Sequence, residues 1–257
     1  MNKQKIERIL NSTQMIAQNI VSILVIVMLL LGILGSIFTF ASAVPSGLTI
    51  TFNMTQNVTP KPAAQITTLG GSFTTVILNA TTQTPRWKAY VGNVTGRMTL
   101  ADSNSKSIFD WTVSSVSGEV YATKNVSIDW STITCANQAT ITYEDSYLNM
   151  SQNNPDTVNK TFANHMHKMF YVGNTLILNS TCPAIATYVN GTSQVLSENA
   201  SFQEILLKDG ASRAIYTTLI NQNTTGFNNL KYDFQMIVPE NEYQSSPTPY
   251  YLYVELI

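Results

Sequence analysis

The only two histidines of the chain stand two residues apart in the stretch NHMHKM, as His165 and His167. On a strand, positions i and i+2 share one face, and Met166 or Met169 could add a thioether, a ligand set suited to copper. No third histidine exists and no free thiolate is near in sequence. The pair therefore reads first as a polar loop with solvated imidazoles, with metal ligation by His165 and His167 as the competing reading. No cofactor is expected.

The carboxylates offer less. Glu144 and Asp145 are adjacent in TYEDSY, and on a strand neighbouring side chains point to opposite faces, so they cannot serve together as general acid and base. Asp110, Asp129 and Glu204 are distant in sequence and could meet as a glycosidase pair. In DSNSKSIFD, the oxygen ligands Asp102, Asn104 and Asp110 alternate as around a calcium ion, but Lys106 falls where another ligand is needed and no glycine enforces the turn, which favours a plain hairpin loop. Trp87, Trp111 and Trp130 lie in alternating or aromatic-rich runs and read as core anchors rather than a sugar-stacking platform. The nucleophile elbow, zincin helix, phosphate loop, dinucleotide fingerprint and paired-cysteine metal spacings are all absent. No enzyme is expected.

One motif is abundant. After residue 43, Asn-x-Ser/Thr occurs at Asn53, Asn57, Asn79, Asn93, Asn125, Asn149, Asn159, Asn179, Asn190, Asn199 and Asn223, 11 sites in that stretch. The Asn, Ser and Thr content of that stretch would supply roughly four or five by chance, the triplet being the N-glycan acceptor of exported chains. Asn53 and Asn125 fall on the polar side of the alternating runs TITFNMT and NVSIDW, Asn190 sits in the hairpin signal YVNGTS, and Asn223 in the polar stretch NQNTTG. Only 11% of residues are charged, against about a quarter in ordinary domains, so a sugar coat would supply hydration that charge does not. The net charge of -1 and the scattered Lys and Arg lack the basic footprint of nucleic-acid binding. In an exported chain, Cys135 and Cys182, the only two cysteines, form one disulfide.

Export requires a signal, and residues 20–40 read IVSILVIVMLLLGILGSIFTF, with no charge over a length that spans about 30 Å of hydrocarbon. Lys3, Lys5 and Arg8 precede it, and no Lys or Arg follows until Lys61, so the N-terminus is cytoplasmic and the remainder extracellular. The bilayer is thus the expected partner of residues 20–40, with other envelope proteins or self-association as further partners. Three fates are open: retention as a signal anchor, cleavage after the small residues ASA at Ala43, or clipping near Ala17. The last rests on a resemblance. The stretch IAQNIVSILVIVMLLLG resembles the archaeal type IV pilin signal, which implies removal of a short leader before Gln18 and packing of the apolar helix into a filament core.

The expected organisation is a cytoplasmic segment over 1–19, a transmembrane helix over 20–43, a Pro-containing stalk with a first strand over 44–69, and an ectodomain over 70–257. Short β-branched and aromatic runs recur about every ten residues between Gly, Asn, Pro and Ser, giving a mainly β, antiparallel, Ig-like or sandwich-type ectodomain with one or two short helices. GRMTLADSNSKSIFDWTV reads as a hairpin pairing Met98 and Leu100 with Phe109, Trp111 and Val113. YYLYVELI reads as a terminal strand with one buried face. NNPDTVNKTF starts a helix with Asn154 as N-cap and Pro155 in first position. The stretch 198–220 fits either helix or strand. YVGN at Tyr90 and Tyr171, and ILN at Ile77 and Ile177, read as similar strand ends in one domain rather than a duplication. The segments WKAYVGNVTG, FDWTV and YDFQMIVPEN resemble a set of uncharacterised archaeal membrane-anchored surface proteins, which implies location and a β-rich fold only.

Overall fold

EVYA at residues 119–122, EILL at 204–207 and AIYTTL at 214–219 are runs without alternation, and strands of that kind are buried on both faces. The computed structural model describes residues 44–257 except 113, 114, 152, 242, 244 and 245. The expected membrane helix over 20–43, the segment 1–19 and both cleavage points lie outside the described residues. Among the described residues no helix is long and apolar enough to cross a membrane.

Along the chain come β1 (Ser46–Gly47), β2 (Trp87–Gly92), β3 (Arg97–Ala101), β4 (Ser107–Thr112), β5 (Gly118–Thr123) and β6 (Thr134–Cys135). Two helices follow, α1 (Gln138–Tyr147) and α2 (Val158–Thr161). Then come β7 (Phe170–Val172), β8 (Thr175–Ile177), β9 (Ala184–Ala186), β10 (Gln203–Lys208), β11 (Ala214–Leu219), β12 (Thr224–Thr225), β13 (Lys231–Tyr232), β14 (Phe234–Pro239) and β15 (Tyr251–Leu256). The fold is mainly β, and every pairing is antiparallel. A seven-stranded sheet runs β1-β15-β5-β11-β10, with β6 and β9 side by side on the far edge of β10. The ambiguous stretch 198–220 resolves to the β10–β11 hairpin.

The sheet has a cover on each face. Val120, Ala122, Leu206 and Tyr216 pack with Ile141, Leu148, Val158 and Phe162 of the helical region and with Met236 and Val238 of β14. Tyr121, Ile205, Leu207 and Ile215 face the other way, onto Phe170, Val172 and Ile177 of the β7–β8 hairpin and onto Cys182. Cys135 and Cys182 form the expected disulfide, 47 residues apart, which ties the β6 edge to the segment leading into β9. Gly118 opens β5 at φ 125, and a Cβ there would lie 2.0 Å from the backbone oxygen of Glu255, so β15 closes over a position only glycine can fill.

Several local expectations change. QATITYEDSY is the helix α1, although its β-branched residues favour a strand. Asn137 caps it by accepting from Thr140 N at 2.9 Å. Asn149 ends it in the left-handed conformation at φ 57, with Met150 N donating to Asp145 O at 2.8 Å in a Schellman closure. Helix α2 begins later than expected and spans only four residues: Thr157, not Asn154, is its N-cap, because Pro155 and Asp156 are held in a turn where Trp87 Nε1 donates to Asp156 O at 2.7 Å. No strand forms over TITFNMT, where Ile50, Phe52 and Met54 are exposed, nor over NVSIDW, where Val126 is exposed and Trp130 opens a 3-10 turn. The β3–β4 hairpin forms in the expected register, Met98 opposite Trp111 and Leu100 opposite Phe109, but Trp111 is exposed rather than a core anchor. The terminal strand β15 lacks the expected fully buried apolar face: Leu252, Val254 and Leu256 are half-buried, and its one buried residue is Glu255 on the opposite face.

Candidate functional site

None of the 11 sequon asparagines is buried, and all but Asn125 are exposed. Asn149, Asn190 and Asn223 occupy left-handed turn positions at φ 57, 48 and 54, a region that Asn tolerates better than most residues. At Asn190 the turn expected from YVNGTS is present, with Val189 and Thr192 exchanging backbone hydrogen bonds of 3.0 and 2.9 Å.

The two histidines are separated by burial. His165 is exposed, whereas His167 is fully buried. Its Nε2 accepts from Cys182 N at 2.9 Å and Thr181 N at 3.2 Å, so the proton sits on Nδ1, 2.8 Å from Lys168 O. Burial, with the charge of His165 as a lesser cause, moves the imidazole below its ordinary pKa. Both ring nitrogens are thus engaged with backbone, and the imidazole holds the disulfide-bearing loop. Among the described residues no group of three or more His, Cys, Asp and Glu is placed to hold a metal ion.

The carboxylates are also dispersed. Asp110 pairs with Arg97 at 2.7 Å on the exposed hairpin, Asp129 caps the 3-10 turn at Ser131 N, and Glu204 accepts from Ile237 N at 2.8 Å inside the core. Asp102 closes the β3–β4 turn by accepting from Asn104 N and Lys106 N, which uses the oxygen that a calcium ion would need. Glu144 and Asp145 both lie on α1, not on a strand, and are buried toward different partners. Asp145 accepts from Val158 N at 2.7 Å and Asn159 N at 3.3 Å, capping α2. Burial nevertheless raises its pKa.

Glu144 belongs to the one cleft that gathers charge and aromatic surface. Lys124, just past β5, places Nζ 2.8 Å from Glu144 Oε2 and 4.1 Å from the ring centre of Tyr147. Tyr216, on β11, donates to the same carboxylate at 3.2 Å. Burial and that carboxylate push the phenol well above its ordinary pKa, so it keeps its proton and donates it in the hydrogen bond to Glu144. Tyr143 and Tyr147, at i and i+4 on α1, stack with ring centres 6.2 Å apart and are both more than half exposed. The turn between β10 and β11 closes the far wall with Ser212 and Arg213, and Arg213 is fixed by Asp209 at 2.6 Å. Burial drives Asp209 up, but hydrogen bonds from the side chain and backbone of Arg213 and from Asp129 N, with the Arg213 charge, together outweigh it and hold the carboxyl below its usual range. The cleft holds about 370 Å³ and also includes Asn125 on its lining.

Among the described residues, the cleft's only carboxylate is committed to Lys124 and Tyr216, and no nucleophile stands beside a base. Stacked tyrosine faces beside cationic donors and a hydroxyl suit a polar ring with an apolar face. The sequence reading missed this cleft: the i, i+4 spacing of Tyr143 and Tyr147 is a signal only once the stretch is a helix, and Lys124 and Arg213 arrive from the end of β5 and the β10–β11 turn. No family model, curated protein or solved structure matches the chain.

Proposed function

We propose that the chain is a membrane-anchored, N-glycosylated extracellular surface protein with a structural or adhesive role. The carrying observation is the placement of the sequons: 11 acceptor asparagines, none in the core, three of them on left-handed turns. A disulfide in a sparsely charged domain supports the same reading, because bridges persist in oxidising compartments and sugars hydrate what charge does not. The β14–β2 ribbon over β10 and β11 supports a sandwich-type ectodomain, and the apolar stretch at 20–40 supplies the anchor. The resemblance to archaeal membrane-anchored surface proteins agrees with it.

The test is intact mass and glycopeptide mapping of native protein extracted from membranes. Carbohydrate on several of the 11 sites with no thiol titrating is the expected result. A bare polypeptide would overturn the reading. The pilin-like alternative is favoured by one observation, the stretch IAQNIVSILVIVMLLLG, and N-terminal sequencing separates the two: a mature start at Gln18 supports the filament subunit, an intact start the anchor.

A further inference from the structure

We propose that the cleft between α1 and the β10–β11 turn is the seat of the glycan carried by Asn125, docked within the same molecule. This rests on the glycosylation reading above and deepens it at one site. Among the described residues Asn125 is the one sequon asparagine that is not exposed, and it lines the cleft with Tyr143, Tyr147, Lys124 and Arg213. A sugar joined to its side-chain nitrogen therefore begins at the cleft wall. The other ten acceptors are exposed.

The cleft chemistry matches such an occupant. Tyr143 and Tyr147, 62% and 51% exposed on the outer face of α1, offer flat surface on which the C–H face of a sugar ring stacks. The side chain of Lys124 is 11% exposed, and its buried Nζ, paired with Glu144 and seated over the Tyr147 ring, fixes that wall of the cleft. Arg213 and Ser212 add donors across the cleft. Its volume of about 370 Å³ is at the lower end of small-ligand sites. Tethering settles the energetics: a sugar linked to Asn125 sees the cleft at an effective concentration on the order of millimolar, so contacts too weak to hold a free saccharide suffice.

The modification itself is a transfer from a sugar diphosphate-type donor by a separate glycosyltransferase. The bond from Nδ2 of Asn125 to the anomeric carbon forms, the anomeric C–O bond breaks, the diphosphate leaves, and Nδ2 gives up one proton to the transferase base.

The experiment follows enzymatic glycan release from the folded glycoprotein, site by site, by glycopeptide mass spectrometry. Release at Asn125 is expected to be at least about tenfold slower than at Asn93 and Asn199, the factor by which a docked form must outnumber the open one. In the Tyr143→Ala/Tyr147→Ala variant, release at Asn125 rises to the rate at Asn93, and the other sites do not change. Should that variant fail to fold, Ser127→Ala removes the sequon and leaves the cleft intact; Tyr143 and Tyr147 then become several-fold more reactive to nitration than in the glycosylated protein, by the same loss of cover. Occupancy at Asn125 with release as fast as at Asn93, or nitration that Ser127→Ala does not change, overturns the docking and leaves the glycosylation reading standing. Sugar at other sites but none on Asn125 also overturns it, and no sugar anywhere removes both.

Discussion

Glu119 and Glu255 are register partners across the β5–β15 ladder, and both side chains are buried, at 3% and 4% exposure. Burial raises the pKa of both carboxyls. Glu255 accepts from Gly173 N at 2.9 and 3.1 Å and from Tyr121 Oη at 3.0 Å, whereas Glu119 Oε2 has no partner among the described residues. Burial first, and the charge of Glu255 second, push the Glu119 carboxyl up to about 8.

A carboxyl that binds its proton more tightly folded than unfolded stabilises the fold in acid. The unfolded chain ionises near 4.5, so this contribution is complete below that pH and is lost as pH rises toward about 8. Each unit in the window costs at most about 1.4 kcal/mol. Glu119→Gln should flatten the decline in urea midpoint between pH 5 and 8 relative to the wild type. An unchanged slope would show that the proton resides elsewhere.

His167 works in the opposite sense. Its folded pKa is lowered, so its contribution is present above the unfolded value near 6.5 and is lost as pH falls through the folded one. His167→Ala leaves the backbone N–H groups of Thr181 and Cys182 without their acceptor and opens a cavity, at a cost of about 2–4 kcal/mol. Denaturant unfolding at pH 7.5 measures the loss, and the difference from wild type should shrink at pH 5.

Two ion pairs provide a contrast. Lys124–Glu144 is buried at 11% and 3% exposure, and Arg97–Asp110 is open at 67% and 42%. Lys124→Met should cost about 3 kcal/mol, because Glu144 keeps only Tyr216 against an otherwise uncompensated charge. Arg97→Ala should stay within about 0.5 kcal/mol. Equal losses in thermal unfolding would contradict the burial of the first pair.

Opening the bridge tests its loop. The Cys135→Ser/Cys182→Ser double variant is expected to lose up to about 4 kcal/mol on the chain-entropy account, read as a lower urea midpoint with a steeper slope, because the unfolded chain without its bridge exposes more surface. The seven-stranded sheet should survive, since Leu207 opposite Cys135 keeps its other neighbours on β11.

Much of the β framework was legible in the chain. Asn190-Gly191 marks its turn because only residues tolerant of positive φ fit there, and Met98, Leu100, Phe109 and Trp111 marked a hairpin by alternation. The helix α1 was not legible. Thr140, Ile141 and Thr142 favour a strand, and the helix is set instead by the Asn137 cap, the Asn149 closure and the fit of Ile141 and Leu148 against the sheet. Alternation also failed as a guide to exposure in Ile50, Phe52 and Val126, because a pattern fixes which side chains share a face but not whether a neighbour covers it.

By itself, the sequence determined the antiparallel β class, the disulfide partners, and the expectation of an exported, sugar-bearing chain, since these depend on composition, cysteine count and local turn chemistry. Tertiary structure alone decided that His167 is a buried scaffold, that Glu119 and Glu255 face each other, and that Lys124, Tyr147, Arg213 and Asn125 border one cleft. Such sites join residues from β5, α1 and the β10–β11 turn, and their chemistry arises from burial and proximity, which no single stretch of chain encodes.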